Sequence, residues 1–343
     1  MTNDTAATNH TAVGPAGLPA WDRAPVRLSI EDVYVDYRPR GRGVVRAVAG
    51  VDLNVAAGEV VGLVGESGCG KSSLARVAAG LSAPSSGTVR FDGAPVAPLG
   101  WQRRPTAQTR LQMIFQDPGG SLNSRRTVGA QLLDGVGDEL PAAAREQRLA
   151  ELLDRVGMPA EASTRFPHEF SGGQRQRLAI ARALAAEPEL IIADEPVTAL
   201  DASAQAQVVS LLLSLVRELN MGLLFISHDL ALVHEIADRT AVMYLGKIIE
   251  TAPTRQLMAA PVHPYTRALV GAIPQISAAP RLPAVLRGEV PDPSRAPSGC
   301  RFRPRCPHAA EVCLTEPPLR HTLHTLVACH RAEEIAAATE EEM

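Results

Sequence analysis

The sequence has no large excess of charge, no long apolar run and no secretory signal. Its 343 residues carry a formal net charge of −3, which argues against a broad basic surface for nucleic acid. The most apolar stretch, Val208 to Val216, is far shorter than the roughly 20 residues that cross a bilayer. The first residues lack the charged-then-apolar order of a secretory signal. We therefore expect a cytosolic chain whose role at a membrane would need partner subunits.

Cysteine is scarce and unevenly placed. Cys69 stands alone, whereas Cys300, Cys306, Cys313 and Cys329 are separated by only 5, 6 and 15 residues. A cytosolic location argues against disulfides. Four thiolates could hold Zn²⁺ or a [4Fe–4S] cluster, and the loose spacing favours iron–sulfur because zinc commonly uses pairs with about two to four intervening residues. Thiols without a metal remain the alternative.

A glycine-rich segment lies between a predicted strand and a predicted helix. Residues 65–73 read GESGCGKSS, between the apolar run Val60 to Val64 and the helical run Ser72 to Leu81. The glycines let backbone N–H groups turn toward a polyphosphate, and the helix start adds its partial positive charge. Lys71 would reach the β- and γ-phosphates and Ser72 would bind Mg²⁺. The alternative is a plain glycine-rich turn. The predicted loop residues are Gly65, Glu66, Ser67, Gly68, Cys69, Gly70, Lys71, Ser72 and Ser73.

Two carboxylates end a second apolar strand. Leu190 to Ala193 is followed directly by Asp194 and Glu195. Neighbouring side chains on a strand point to opposite faces, so the two acids can have different roles. Asp194 can bind Mg²⁺, and Glu195 can orient and polarise an attacking water. Without the upstream loop, a strand ending in solvated acids would be the preferred interpretation.

The segment Phe170 to Arg177, FSGGQRQR, precedes a predicted helix. A serine and two glycines at a helix start form a second anion-binding cradle, and the serine also suits a helix cap. Here the sequence resembles the ATP-binding cassette (ABC) ATPases, whose signature motif it matches. The resemblance implies that two cassettes pack head to tail, with the signature of one closing over the ATP of the other. The residues concerned are Ser171, Gly172, Gly173 and Gln174.

The resemblance extends to four further positions. Gln116, in MIFQDP, matches the glutamine that senses Mg²⁺ and water and links the core to a helical insert. Asp201, in ALD, matches the loop that communicates across the dimer, and His228, in ISHD, matches the histidine that contacts the γ-phosphate. Tyr37 lies where the family places an aromatic ring against adenine, with Tyr34 as a nearby rival.

Alternating strands and helices indicate an α/β fold with a largely parallel sheet. The resemblance specifies a P-loop NTPase cassette with a RecA-like mixed sheet core, an antiparallel β subdomain and a helical subdomain. We predict a leader over 1–24, a nucleotide-binding domain over 25–255 with its helical subdomain at about 117–186, a small cysteine-rich extension over 256–331, and an acidic tail over 332–343.

The predicted carboxyl-terminal extension narrows the resemblance to one group within the ABC ATPases. The segment VHPYTRAL at 262–269, GCRF at 299–302 and PRC at 304–306 look like the extension of ATP-binding subunits of oligopeptide, dipeptide and nickel permeases. Ser121 to Asn123 and Phe170 are similar to the second ATPase subunit of such importers, although Ser124 and Arg126 depart from its pattern. Some members of this group carry an iron–sulfur cluster in the extension.

The resemblance implies an ATP- and Mg²⁺-dependent ATPase of a peptide importer at the cytoplasmic face of the cell membrane. Its partners would be two transmembrane permease subunits, a second homologous ATPase or a second copy, and indirectly an extracytoplasmic binding protein. Lys71 and Ser171 lie 100 residues apart, and one loop occurs with one signature, which disfavours chromosome-maintenance ATPases and two-cassette translation factors. The alternatives are a nickel or other small-solute importer, a soluble ABC ATPase acting on nucleic acid or ribosomes, and a redox- or metal-sensing protein.

Overall fold

The computed structural model describes residues 25–38, 43–100, 104–137, 139–273, 288–322 and 325–340. The predicted leader and the last three residues of the predicted acidic tail lie outside this part. The strands are β1 (Val26–Tyr37), β2 (Val45–Ala56), β3 (Val60–Val64), β4 (Ser86–Phe91), β5 (Ala94–Pro95), β6 (Leu111–Ile114), β7 (Leu190–Asp194), β8 (Gly222–Ser227), β9 (Arg239–Tyr244), β10 (Lys247–Pro253), β11 (Arg320–Thr322) and β12 (Thr325–Val327). The helices are α1 (Lys71–Ala78), α2 (Pro118–Ser121), α3 (Val128–Val136), α4 (Ala142–Arg155), α5 (Gly172–Leu184), α6 (Ala202–Glu218), α7 (Leu230–Ile236), α8 (Thr254–Ala259), α9 (Pro264–Gly271) and α10 (Ala332–Glu340).

An eight-stranded sheet forms the centre, in the order β11-β12-β10-β9-β3-β8-β7-β6. The five strands from β9 to β6 pair in parallel, and β10, β12 and β11 continue the sheet antiparallel. Every residue of β3, β7 and β8 is buried, as expected for parallel strands covered on both faces. Because parallel strands end at the same edge, the polar residues that follow β3, β6, β7 and β8 are brought to one edge of the sheet.

The two faces of β3 belong to two different cores. Val60 and Val64 pack with the apolar sides of α5, α6 and α7, whereas Val61 and Leu63 pack with α1 and with strands β1, β2 and β4. Side chains alternate along a strand, so one continuous apolar run serves both layers. The second layer includes a four-stranded antiparallel sheet in the order β2-β1-β4-β5.

Helices α2 to α5 form a helical region between β6 and β7. Their apolar faces join one core with α6, through buried residues such as Leu132, Leu152 and Leu178. Of the residues that the structure describes, no helix is both long and apolar enough to cross a membrane.

The chain after β10 is packed against the same sheet. Strand β12 pairs with β10 through Glu250 opposite Val327, and β11 pairs with β12. Tyr265 of α9 and Phe302 are fully buried in the core that contains β3 and β7, and both rings contact that of Tyr244 on β9, with ring centroids 4.7 and 5.3 Å away.

Candidate functional site

The glycine-rich loop after β3 has the geometry of an anion cradle. A Cβ at Gly65 would lie 2.1 Å from the carbonyl oxygen of Met243, and one at Gly70 would lie 2.1 Å from that of Ala47. Gly68 and Gly70 also have φ values of 80° and 108°, in the region that favours glycine. Larger residues at these positions would therefore displace the loop from the sheet.

Lys71 begins α1 and is only 4% exposed. Its Nζ donates to the carbonyl oxygens of Gly65 at 2.7 Å and Glu66 at 3.1 Å, so the ammonium lies over the loop. The preceding cap residue, Gly70, offers no side-chain acceptor to the first turn of α1. The partial positive charge at the start of the helix and the ammonium together favour a bound polyphosphate.

A hydroxyl and a buried carboxylate meet beside the loop. Ser72 Oγ donates to Asp194 Oδ1 at 3.0 Å. Burial raises the pKa of Asp194, the hydrogen bond from Ser72 lowers it, and the adjacent charge of Glu195 raises it again. Hydroxyl and carboxylate oxygens are the ligands that Mg²⁺ prefers, and a cation would relieve the cost of burying this charge. The two residues therefore fit a magnesium ion.

Three polar side chains converge on one oxygen of Glu195. Gln116 Nε2 and Thr198 Oγ1 each donate to Oε2 at 3.1 Å, and His228 Nδ1 lies 3.3 Å from the same atom. Gln116, Glu195 and His228 follow β6, β7 and β8, which are neighbours in the sheet. The fold thus brings together three residues that the sequence places far apart, next to Asp194 and the loop.

The signature residues and Asp201 form a second group. Ser171 Oγ accepts from the N–H of Gln174 at 3.3 Å while Gln174 Oε1 accepts from the N–H of Ser171 at 3.0 Å, a capping box at the start of α5. Asp201 caps α6 by accepting from Ala204 at 2.9 Å. A Cβ on Gly173 would lie 3.2 Å from that of Ala204, so the two helix starts are in contact. Within the described residues, no hydrogen bond joins this group to the phosphate loop.

The two tyrosines at the end of β1 have different surroundings. Tyr37 is 43% exposed, and its hydroxyl donates to Ser73 Oγ at 3.2 Å, beside the first turn of α1. Tyr34 is partly covered, with the guanidinium of Arg46 lying 5.5 Å from its ring centre. The geometry therefore favours Tyr37 over Tyr34 as a ring available for stacking.

The four clustered cysteines lie near one another. The N–H of Cys300 donates to the carbonyl oxygen of Cys313 at 3.0 Å. Burial raises the pKa of Cys300, Cys306 and Cys329, the last to about 11, and negative charge on the neighbouring thiols adds to each increase. In the described ranges, however, no three Cys, His, Asp or Glu side chains are arranged to hold a metal ion. The [4Fe–4S] cluster and the alternative Zn²⁺ site therefore stay predictions without structural support.

Cys69 is separate from that group. It is buried in the phosphate loop, burial raises its pKa, and the ammonium of Lys71 lies 3.8 Å from its sulfur.

Sequence reasoning assigned no role to three residues that contact the site. Thr198 hydrogen-bonds Glu195, and its position three residues after the acid was the available signal. Arg305 forms an ion pair with Glu66 of the phosphate loop, and the hydroxyl of Tyr265 accepts from the N–H of Glu66. The last two contacts join residues 239 and 199 positions apart, which no local pattern reveals.

Comparison with known proteins identifies the family. A family model described as "ABC transporter" matches residues 48–198, and one described as "Oligopeptide/dipeptide transporter, C-terminal region" matches residues 249–313. A probable peptide ABC transporter ATP-binding protein of Sinorhizobium fredii is 51% identical over 301 residues, 86% of this chain and 85% of the relative. A putative peptide import ATP-binding protein of Brucella ovis is 47% identical over 294 residues, 85% of this chain and 92% of the relative.

The chain belongs to the ABC transporter ATP-binding family. Solved structures agree with this assignment. A subunit of an ABC transporter complex from Clostridium perfringens is 28% identical, with a TM-score of 0.59 over 68% of this chain and 91% of that one. A dimeric ATP-binding cassette in a post-hydrolysis state bound to ADP and Pi is 26% identical, with a TM-score of 0.60 over 66% of this chain and 99% of that one.

Membership of this family confirms the predicted cassette fold and makes the chain an ATPase. The second family model confirms the resemblance of the carboxyl-terminal region to peptide permeases. The similarity to the second ATPase subunit of such importers stays a prediction. The same holds for the individual roles of the site residues in this ABC ATPase.

Proposed function

We propose that this chain is the ATP-hydrolysing subunit that powers import of oligopeptides or dipeptides through a multi-subunit ABC transporter. The observation that carries the proposal is the convergence of Gln116, Thr198 and His228 on Glu195 Oε2, beside a phosphate cradle. The peptide cargo is supported by the names of the relatives and by the match of residues 249–313 to the peptide-transporter region.

The loop and Lys71 would bind the β- and γ-phosphates of ATP, with the ring of Tyr37 against adenine. Ser72, Gln116 and Asp194 would hold Mg²⁺, which neutralises charge on the phosphates when it is bound. Glu195 would orient the attacking water, and its hydrogen bonds with Gln116 and Thr198 fix the carboxylate in one direction. His228 would contact the γ-phosphate.

The signature residues of this chain would act on a neighbouring cassette. The four residues at the start of α5 are exposed or half-exposed, so a phosphate bound by a second cassette can reach them. They are Ser171, Gly172, Gly173 and Gln174. Asp201, which caps the adjacent start of α6, would sense that dimer. ATP would favour the closed dimer, hydrolysis would reopen it, and the helical region would transmit the movement to membrane subunits.

We propose accordingly that the protein lies at the cytoplasmic face of the cell membrane with two permease subunits and a second, homologous ATPase or a second copy. Purification of the complex in mild detergent would identify these chains. Stimulation of ATP hydrolysis by peptide-loaded binding protein supports the peptide cargo, whereas stimulation by nickel alone favours the small-solute alternative. Recovery of ribosomes or nucleic acid without permease subunits would contradict the transport function.

The hydrolytic role of Glu195 is tested by Glu195→Gln. The amide keeps the shape and can still accept hydrogen bonds, but it cannot polarise water as a base. We expect ATP binding to persist while turnover falls by roughly 10²- to 10⁴-fold, measured as phosphate release. Glu218→Gln is the matched control, because Glu218 forms a surface ion pair with Arg155 at 3.3 Å; this variant should hydrolyse ATP at the wild-type rate. Near-normal turnover in Glu195→Gln would remove Glu195 from this role.

A further inference from the structure

The carboxyl-terminal region holds one residue of the phosphate loop from two sides. Arg305 Nη1 and Nη2 donate to Glu66 Oε2 and Oε1 at 2.8 and 3.1 Å, a two-point pair of planar groups. The hydroxyl of Tyr265 accepts from the backbone N–H of the same Glu66 at 3.0 Å. Both partners come from the part of the chain beyond β10.

Glu66 is also one of the residues that Lys71 contacts. Its carbonyl oxygen accepts from Lys71 Nζ at 3.1 Å, so the side chain, the N–H and the carbonyl of Glu66 all have fixed partners. A change in the position of Arg305 or Tyr265 would therefore be transmitted to Lys71 through Glu66.

The anchor of this contact is buried and closely packed. Tyr265 is fully buried, and its ring packs against Tyr244 and Phe302 with centroids 4.7 and 5.5 Å away. Arg305 also donates to the hydroxyl of Tyr244 at 3.4 Å, and its side chain is 5% exposed against 25% for Glu66. Such a covered ion pair contributes little to stability, because removing both charges from water offsets their attraction. Its physical effect is to specify one conformation of the loop.

We propose that Arg305 and Tyr265 are positioning residues for the phosphate loop, so that the carboxyl-terminal region sets the affinity of the site for ATP. This inference rests on the proposed role of the loop as the ATP site. We call Glu66, Tyr265 and Arg305 the clamp. Arg305 immediately precedes Cys306, and its N–H donates to the carbonyl oxygen of Phe302, so one short segment carries both a residue of the clamp and one of the clustered cysteines.

The first test is a double-mutant cycle on nucleotide affinity. Arg305→Met keeps an unbranched side chain but removes the guanidinium, and Glu66→Gln removes the charge it binds. Each change should weaken ATP binding on the order of 10-fold, the usual size of coupling between linked sites. The double variant should bind no more weakly than the weaker-binding single variant, because both changes remove the same contact. Affinity is measured by calorimetric titration with ATP.

Arg320→Met is the matched control. Arg320 lies in the same region, and its ion pair with Glu333 is exposed; ATP should bind this variant as it binds the wild type. A purely structural role of Arg305 would lower the melting temperature of the nucleotide-free protein but leave the ATP affinity of the folded fraction unchanged. Wild-type affinity in Arg305→Met, or additive losses in the double variant, would overturn the proposal.

Tyr265→Phe keeps the proposal testable if Arg305→Met does not fold. It retains the buried ring and removes only the acceptor for the N–H of Glu66, so ATP affinity should fall severalfold with the fold intact. Coupling between sites is reciprocal, so ATP should slow amide hydrogen exchange at Arg305 and Cys306 in the wild type. Unchanged affinity in Tyr265→Phe together with unchanged exchange would reject the clamp. Since these readouts report binding, they stay separate from the loss of turnover expected for Glu195→Gln.

Discussion

The backbone conformation of Glu195 determines where its carboxylate lies. Its φ is 47°, in the left-handed region that costs a non-glycine residue on the order of 1 kcal/mol. The conformation is held because its N–H donates to the carbonyl oxygen of Ile226 on β8 at 3.0 Å. The chain therefore turns directly after β7, and the carboxylate faces Gln116 and His228. Strain of this kind persists where the surrounding structure fixes it, as at this site.

Because the carboxylate of Asp194 is buried, we expect that removing its charge favours stability but abolishes function. In Asp194→Asn the hydroxyl of Ser72 can still donate to the side-chain oxygen, but no charge is buried. We expect the nucleotide-free variant to be at least as stable as the wild type at neutral pH, and its Mg²⁺-dependent ATP binding to be lost. Thermal unfolding and ATP titration with and without Mg²⁺ measure the two effects.

The pH dependence of this effect has a definite sign. Since burial raises the pKa of Asp194 above its ordinary 3.8, the wild type loses stability as pH rises through the folded pKa. The stability advantage of Asp194→Asn over the wild type should be full at pH values above the folded pKa and disappear below pH 3.8. Asp134→Asn is the opposite control, because the hydrogen bond from Arg126 lowers the pKa of Asp134 and its removal should reduce stability at neutral pH. A clearly destabilised Asp194→Asn at neutral pH would contradict the argument.

Single residues at strand ends were predictable from the sequence, but their partners were not. An apolar run that stops at two acids predicts Asp194 and Glu195 at the carboxyl end of a buried strand, where the chain leaves the sheet. The bond from Gln116 to Glu195 spans 79 residues, and that from Arg305 to Glu66 spans 239. The family resemblance implied only that Gln116 and Glu195 both act near Mg²⁺ and water, and the bonds themselves required the folded chain.

At the scale of elements, the start of α5 has two tasks. Ser171 and Gln174 form a reciprocal capping box, which satisfies two N–H groups of the first turn. The same turn presents its partial positive charge to the outside, where the proposed neighbouring phosphate would bind. Stability needs only an acceptor at position 171, whereas the proposed binding across the dimer also needs a side chain without negative charge.

Two substitutions at Ser171 separate these tasks. Asp is as good a cap as Ser, so Ser171→Asp should keep the melting temperature, while Ser171→Ala should lose about 1 kcal/mol of stability. The ranking of the two variants by rate of ATP hydrolysis should be the reverse of their ranking by stability. The Asp carboxylate would repel the γ-phosphate, and like charges in contact cost several kcal/mol, so the Asp variant should be the less active of the two. Thermal unfolding measures the stability of each variant, and ATPase assays on the assembled complex measure its turnover. Wild-type turnover in Ser171→Asp would contradict binding across the dimer.

Element types followed from periodicity, and element ends from capping. The sequence predicts a helix over Ala204 to Leu219, and α6 instead begins at Ala202 because Asp201 caps it. Strand β7 was predicted one residue shorter than it is, since Asp194 is polar although buried. Strands β11 and β12 were not predicted at all. Each has three residues, too few for an alternating pattern, and β12 pairs with β10 more than seventy positions upstream.

At the scale of the whole molecule, one sheet joins the nucleotide site to the carboxyl-terminal region. Glu250 of β10 is fully buried. Its carboxylate accepts from the N–H groups of Val262 at 2.8 Å and His263 at 2.9 Å, and from the hydroxyl of Thr325 at 3.5 Å. All three donors lie beyond the predicted domain boundary between residues 255 and 256. The family resemblance could indicate a separate extension, but only the fold shows that a core carboxylate depends on it.

This dependence predicts that residues 1–255 do not form a stable cassette by themselves. Truncation there would remove three donors from Glu250, and the loss of a hydrogen-bond partner from a buried polar group costs about 1–3 kcal/mol. It would also expose the edge of β10 and the ring of Tyr244, because the rings of Tyr265 and Phe302 that cover it would be removed, and such exposure favours aggregation. We expect residues 1–255 to be insoluble or to melt far below the full chain. Truncation after residue 331 keeps β12 and the donors to Glu250. It loses the contact of Ala332 with Val262 and Val327, the buried side chain of Ile335 and the exposed ion pairs of Glu333 and Glu334, so it should fold with a modestly lower melting temperature. If residues 1–255 unfolded at the temperature of the full chain, the region beyond β10 would be a separate appendage, and it could not fix the phosphate loop through Glu66.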